Sequence, residues 1–294
     1  MSSVLNLNAI ESVKPVTLKL VTAETVANFT NVPGYGRYGV TGSYLQTDRH
    51  AQVSEKFQVI QPAMIGAALA ENGFDLVSVI TGKSRHADKT DFQRTISRYR
   101  SNDTFEIEGL SLDLIYISKH MGRGCDEFRL GFYRGTCANQ WAVGSLFEIV
   151  KFRHSGNPLV DLQDAIVRIL NQRVKLIDSI KRMQNTMLDS NAIANLAKKY
   201  AEMRLEGKEN ILDIGYKSLA RVHRADDAKL DLFTVANVLQ ENIVRGVLPY
   251  RLNTVDSNGN PSVRNMTTRR FKESSLELVD LNGRMFDAAL SMAA

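Results

Sequence analysis

Cysteine is almost missing: in 294 residues only Cys125 and Cys137 occur. Two cysteines make no disulfide framework, and a reducing cytosol is the simpler home. No apolar run reaches the roughly 18 residues of a membrane-spanning helix. The opening stretch MSSVLNLNAIESVKP lacks a basic start followed by an apolar block, so no secretory signal is expected. Phosphate-loop glycines are lacking too. MGRGCDEF, 121–128, has Gly-x-Gly without a third glycine or a following helix, and no Gly-x-x-x-x-Gly-Lys-Ser/Thr exists. His120, Cys125, Cys137 and His154 lie around the expected central strands, yet Cys-x-x-Cys and closely spaced histidines are missing. No metal is therefore expected. Cys137 with a distant His154 or His120 reads as a packed thiol rather than a nucleophile. The carboxylate pairs Asp126-Glu127 and Asp226-Asp227 fall in polar turns, without the spaced carboxylate-plus-His pattern of a two-metal nuclease. No catalytic residue and no cofactor are expected.

What is present is a change of hydrophobic period. Residues 54–72 carry Phe57, Ile60, Met64, Ala67 and Ala68 at helical spacing, with Ser54 as N-cap and Gly73 after the end. Then come FDLVSVIT (74–81), FQRTISRYR (92–100), SLDLIYIS (111–118), EFRLGFYR (127–134) and LFEIVKFR (146–153), short and rich in β-branched and aromatic residues. They predict a mostly antiparallel sheet. VKPVTLKLVT (13–22) reads as an edge strand and the Gly/Tyr-rich stretch 31–45 as a loop or irregular hairpin.

After Pro158 the sequence turns helical. Leu159, Leu162, Ile166, Ile169, Leu176, Ile180, Met183 and Met187 form a stripe that only Arg173 interrupts. The stripe predicts a long coiled-coil-like arm and a homo-oligomer, with packing back on the sheet as the alternative. Further helices are expected from Asp189 to about Leu205, over 229–246 and over 274–292. Strands followed by helices give an α+β fold: a mixed sheet domain over 1–157 and a helical region over 158–294 packed on it as one unit, with a basic loop at 249–272.

The net charge is +5, and its placement matters more than its size. From Arg245 to Lys272 six Lys/Arg face one Asp, in a stretch of loop composition. Such a segment attracts polyanions. Arg251, Arg264, Arg269, Arg270 and Lys272 are the expected phosphate contacts. Aromatics interleave with cations at Phe92–Arg100, Phe128–Arg134 and Tyr35–Tyr38. Single strands are held by cations and stacking rings. In a strand Arg94, Arg98 and Arg100 share one face while Tyr99 looks the other way. These four residues complete the expected nucleic-acid site, with Tyr99 and Tyr133 as stacking rings.

Five short motifs follow one another: ALAENGF (68–74), FYRGTCANQWAVG (132–144), KFRHSG (151–156), VLQENIVRGVL (238–248) and LVDLNGRMFDAAL (278–290). In this order they resemble a family of unknown function found in phages, prophages and conjugative plasmids. Gln140 stands where members often have Gly, IYISKHMGRG does not match the family's upstream segment, and Phe286 replaces a tryptophan. The resemblance supplies no activity. It implies a phage origin, the cytoplasm of the infected bacterium, and a role of the kind such proteins often have in DNA replication, recombination or transcription. GFYRGTCANQWAVG itself reads as a structural strand–turn, with Arg134 and Asn139 orienting it and Trp141 packing the sheet on helices.

The expectation is therefore a non-enzymatic phage protein binding single-stranded DNA, with no membrane contact. The C-terminal MFDAALSMAA has no acidic recruiting tail, so a phage or host RNA or DNA polymerase would be engaged by another surface. The alternative is direct inhibition of a host defence protein, and an enzyme such as a nuclease ranks third.

Overall fold

The computed structural model of the chain describes residues 42–82, 84–103, 107, 109–121, 124–134, 139–155, 158–271 and 275–293. The side chains of 139, 140, 158, 159 and 163 are excepted. The expected edge strand at 13–22, the group Tyr35–Tyr38, Cys137 and Lys272 lie outside the described residues, as does the Asn139 side chain. The fold is α+β, with antiparallel strands and helices. It divides into two compact units, one taking in the chain up to Phe132 with Phe147–Val174, the other Tyr133–Leu146 with Lys175–Ala294.

In the first unit α1 spans Pro62–Glu71. It starts later than the sequence spacing suggests, because Pro62 occupies the first turn, where its missing N–H and fixed φ suit a helix start. Ser54 caps a turn instead, accepting from Lys56 N at 3.3 Å. Gly73, at φ +79°, closes the helix in the left-handed region. The strands are β1 (Phe74–Thr81), β2 (Thr95–Ser101), β3 (Leu110–Ser118), β4 (Asp126–Arg134) and β6 (Val150–Phe152). Their order is β1-β2-β3-β4, with β6 on β4. The ladders β1/β2, β2/β3 and β4/β6 are all antiparallel. Residues 146–149, expected as strand, are not strand. β2 and β3 are buried on nearly every residue, which is why their sequence shows little alternation.

The single long arm expected after Pro158 is two helices, α2 (Pro158–Leu170) and α3 (Arg173–Asn185). The break at Asn171-Gln172 coincides with a tertiary contact. Gln172 Oε1 accepts from Glu148 N at 2.6 Å, and Gln172 Nε2 donates to Glu148 O at 3.1 Å. Leu162, Ile166, Ile169, Leu176 and Ile180 are fully buried within the one chain. These stripe residues are thus buried inside the single chain, while Met187 is 68% exposed.

The second unit holds β5 (Asn139–Ala142), α4 (Ser190–Leu205), β7 (Ile211–Ile214), α5 (Leu232–Arg245), β8 (Pro249–Val255), β9 (Pro261–Thr267) and α6 (Leu276–Leu290). Asp189 caps α4 by accepting from Ala192 N at 2.7 Å, and Asp231 caps α5 by accepting from Thr234 N at 2.9 Å. α5 is buried on all sides from Leu232 to Ile243, and α4 and α6 pack against it.

Candidate functional site

The expected basic loop is a β-ribbon. β8 and β9 pair antiparallel from Pro249↔Thr267 to Val255↔Pro261, and β7 pairs with β8. The signal was Asn258-Gly259 between alternating runs, a hairpin dipeptide. Asp256 Oδ1 accepts from Asn258 N at 2.8 Å and Asn260 N at 2.9 Å, and Gly259 takes φ +84°. The base is pinned as well. Gly246 ends α5 at φ +76°, and a Cβ there would collide with the Arg269 carbonyl carbon and Arg270 N. Phe271 N donates to Val244 O at 3.0 Å, and Thr268 N to Leu248 O at 2.9 Å. The Arg269-Arg270 backbone is thus fixed rather than floppy.

Register assigns the ribbon's faces. Tyr250↔Met266, Leu252↔Arg264 and Thr254↔Ser262 share one, while Arg251↔Asn265, Asn253↔Val263 and Val255↔Pro261 share the other. Arg251 and Arg264 therefore point to opposite sides. Arg251, Arg264, Arg269 and Arg270 are all exposed. Arg251 pairs with Asp213 at 3.1 Å, in an exposed contact worth little in water.

The β2 residues come out differently. Arg94 precedes β2 and is exposed. Arg98 and Arg100 do share a face, but both clasp the fully buried Asp113, at 3.0 Å and 2.9 Å. Two guanidiniums on one buried carboxylate make a structural triad. Tyr99 looks the other way, as alternation requires, and is 0% exposed, its hydroxyl 3.3 Å from that of Tyr44. It offers no stacking face, and the expectation that Arg98, Tyr99 and Arg100 meet nucleic acid is corrected on that ground. Phe128 and Phe132 are likewise core, and Arg129 pairs with Glu127 at 2.9 Å.

A cleft of about 440 Å³ lies elsewhere in the first unit. Beneath it Asp126, fully buried at the start of β4, accepts from Lys119 N at 2.8 Å, from the Tyr116 hydroxyl and from His154 Nε2 at 2.7 Å. His154 Nδ1 lies 3.0 Å from the Gln58 carbonyl oxygen. Both ring nitrogens face acceptors, so the doubly protonated imidazolium satisfies both. Burial works against that charge, but the Asp126 carboxylate and the Gln58 carbonyl outweigh it and hold the His154 pKa above its usual value. Phe57 stacks on the ring at 4.2 Å. His120, close by and also buried, goes the opposite way: desolvation pushes it down to about 4. Desolvation, with Asp126 beside it, pushes the Tyr116 phenol well up. No group of three or more His, Cys, Asp and Glu fit to hold a metal occurs among the described residues. Sequence reading missed this cluster because its members come from β3, β4 and the segment after β6. Only strand register brings them together.

The motifs 132–144, 238–248 and 278–290 meet in the second unit. Arg134 pairs with Asp227 at 2.6 Å, and Asp227 with Arg224 at 2.8 Å. Glu241 accepts from Arg224 and from Arg245. Trp141 Nε1 donates to Asn237 Oδ1 at 2.9 Å, and Gln240 Nε2 to Asn282 Oδ1 at 3.1 Å. Asn242 Nδ2 reaches Leu219 O at 2.8 Å and Arg221 O at 2.9 Å. Gly144 and Gly283 touch backbone to backbone, and Asp287 Oδ2 accepts from Ser145 N at 2.6 Å. Most buried polar groups of these motifs are thus bonded within the second unit, while Gln240 Oε1 is buried without a partner.

The chain is 22% identical over 215 residues to UPF0380 protein YafZ of Escherichia coli (strain K12), covering 73% of this chain and 77% of that one. The same figures hold for UPF0380 protein YfjQ of the same organism. No solved structure matches. The model of the domain of unknown function DUF932 matches residues 49–275, which take in β1–β9, α1–α5 and both candidate sites. Over most of its length, this chain belongs to the DUF932 family.

Proposed function

We propose that this is a non-enzymatic DNA-binding protein of a mobile element, a phage in the first place, and that the β8–β9 ribbon is its contact. The carrying observation is the β8–β9 hairpin, joined through β8 to β7 in a three-stranded sheet, with exposed arginines on both faces and two more at its pinned base. Strands of a small sheet can be presented to a nucleic-acid groove with β9 as the free edge, and arginines on them meet phosphates. The second unit carries 19 Lys/Arg against 15 Asp/Glu, four of the five net positive charges. The phage setting rests on the motif resemblance. Stacking rings would favour single strands; with Tyr99 buried, the contact proposed is mainly to phosphate.

The test is oligonucleotide binding by the parent and by Arg264→Ala/Arg269→Ala, single- and double-stranded, at several salt concentrations. The double variant is expected to bind roughly tenfold or more weakly, with a salt slope reduced by about one unit for each phosphate no longer gripped. Equal binding at every salt concentration would refute the reading. The second reading, inhibition of a host protein, would then be favoured by Val255 and Val263. They lie 67% and 51% exposed on the Arg251 face.

A further inference from the structure

We propose that the cleft beside His154 binds the phosphate of a mononucleotide-sized ligand, with Lys56 and Arg153 as its cationic contacts. This site is separate in sequence from the ribbon and does not rest on the reading of it. The cleft's lining contains no carboxylate side chain. Its cations are Lys56, Arg153 and the imidazolium of His154, and the last is neutralised by Asp126 underneath. The excess positive charge is therefore that of Lys56 and Arg153. Both are exposed, and neither is engaged in an ion pair among the described residues. Positive charge without a local counter-charge is what an anion site needs, and phosphate takes charge-assisted hydrogen bonds from both kinds of cation.

The rest of the lining narrows the ligand. Val53, Phe57, Met121 and Cys125 are half-buried and supply an apolar side, while Ser54 and Ser155 supply hydroxyls. A volume of about 440 Å³ falls within the range of small-molecule pockets, about 300–1,000 Å³. Inorganic phosphate would leave the apolar side unused, and an uncharged nucleoside would leave the cations unused. A nucleoside monophosphate uses both. Its phosphate is either that of a free nucleotide or the phosphorylated end of a strand.

The full chain is titrated calorimetrically with dAMP, with deoxyadenosine and with inorganic phosphate. dAMP is expected to bind at least roughly tenfold more tightly than either fragment, and Lys56→Gln/Arg153→Gln to lose at least roughly tenfold, since each charge-assisted bond alone is of about that size. Because both side chains are exposed, the variant should keep the parent's melting temperature. Alkylation of Cys125, followed peptide by peptide so that Cys137 does not interfere, should be slowed by dAMP in the parent and not in the variant. Competition by a 5′-phosphorylated but not a 5′-hydroxyl oligonucleotide would identify a strand end as the source, and binding of dAMP without such competition a free nucleotide. No binding of dAMP at millimolar concentration, or binding unchanged in the double variant, overturns the proposal. The ribbon variant Arg264→Ala/Arg269→Ala should leave dAMP binding intact, so failure of the ribbon reading and failure here are separable.

Discussion

Asp113 lies fully buried between Arg98 and Arg100. Asp113→Asn would leave Arg98 buried beside a neutral amide, and removing one partner of a buried pair costs about 3–5 kcal/mol. Chemical denaturation should show a loss of that order, with Arg100→Gln milder because Arg100 is partly exposed. The two histidines near Asp126 pull stability in opposite directions with pH. His154, raised above 6.5 in the fold, contributes stability present below its unfolded pKa and lost as pH rises through the folded value. His120, at about 4 in the fold, stays neutral while the unfolded chain takes up a proton below about 6.5. It therefore costs stability as pH falls from about 6.5 to about 4, on the order of 3 kcal/mol at most at about 1.4 kcal/mol per unit. Urea unfolding at pH 5, 6, 7 and 8 checks both. His120→Gln should flatten the acid side, and His154→Gln should abolish the decline on the alkaline side. Neither group was legible in the sequence as more than a scattered histidine, because the partners of each lie on other strands.

Elements were more legible than sites where the signal was local. FDLVSVIT is β1 residue for residue, and Asp189 and Gly246 mark the helix ends that their side chains or lack of one suit. What the sequence obscured was set by tertiary contacts or a short turn. The long arm breaks where Gln172 bonds to Glu148, and Asn258-Gly259 turned a polar loop into a ribbon. The stripe residue Ile180 shows the difference in consequence. It is buried within its own chain, so Ile180→Lys should unfold the second unit rather than dissociate an oligomer. Thermal melting with light scattering separates the two outcomes. Close backbone approach gives another element-scale test. A Cβ on Gly144 would collide with Gly283 O, so Gly144→Ala must push the turn off α6. A loss of about 1–3 kcal/mol is expected, read as a lowered denaturation midpoint.

At the scale of the whole molecule, α+β class and sheet-before-helices order were legible because hydrophobic period changes along the chain. The division into units was not, since Tyr133–Leu146 belongs with the helical half although it continues the strand β4. Charge follows that division, and it bounds the binding expected of the ribbon. Arg251, Arg264, Arg269, Arg270 and Lys272 allow at most five phosphate contacts, and each contributes about 0.7 to the salt slope on a single strand. A plot of log affinity against log salt should therefore be no steeper than about −3.5 on a single strand, or about −4.5 on a duplex at about 0.9 per contact, and a steeper line would require cations beyond this set.

Trp141, the sole tryptophan, is 1% exposed, bonded through its ring N–H to Asn237 and set edge-on to Phe286. All three belong to the second unit. Intrinsic indole fluorescence of this protein is therefore a reporter of one half only. Its emission should shift to the red when α5 and α6 melt, and stay unmoved by events confined to the first half. Far-ultraviolet circular dichroism sums both halves, so a gap between the two traces during denaturation would reveal unfolding in two steps without any label being attached.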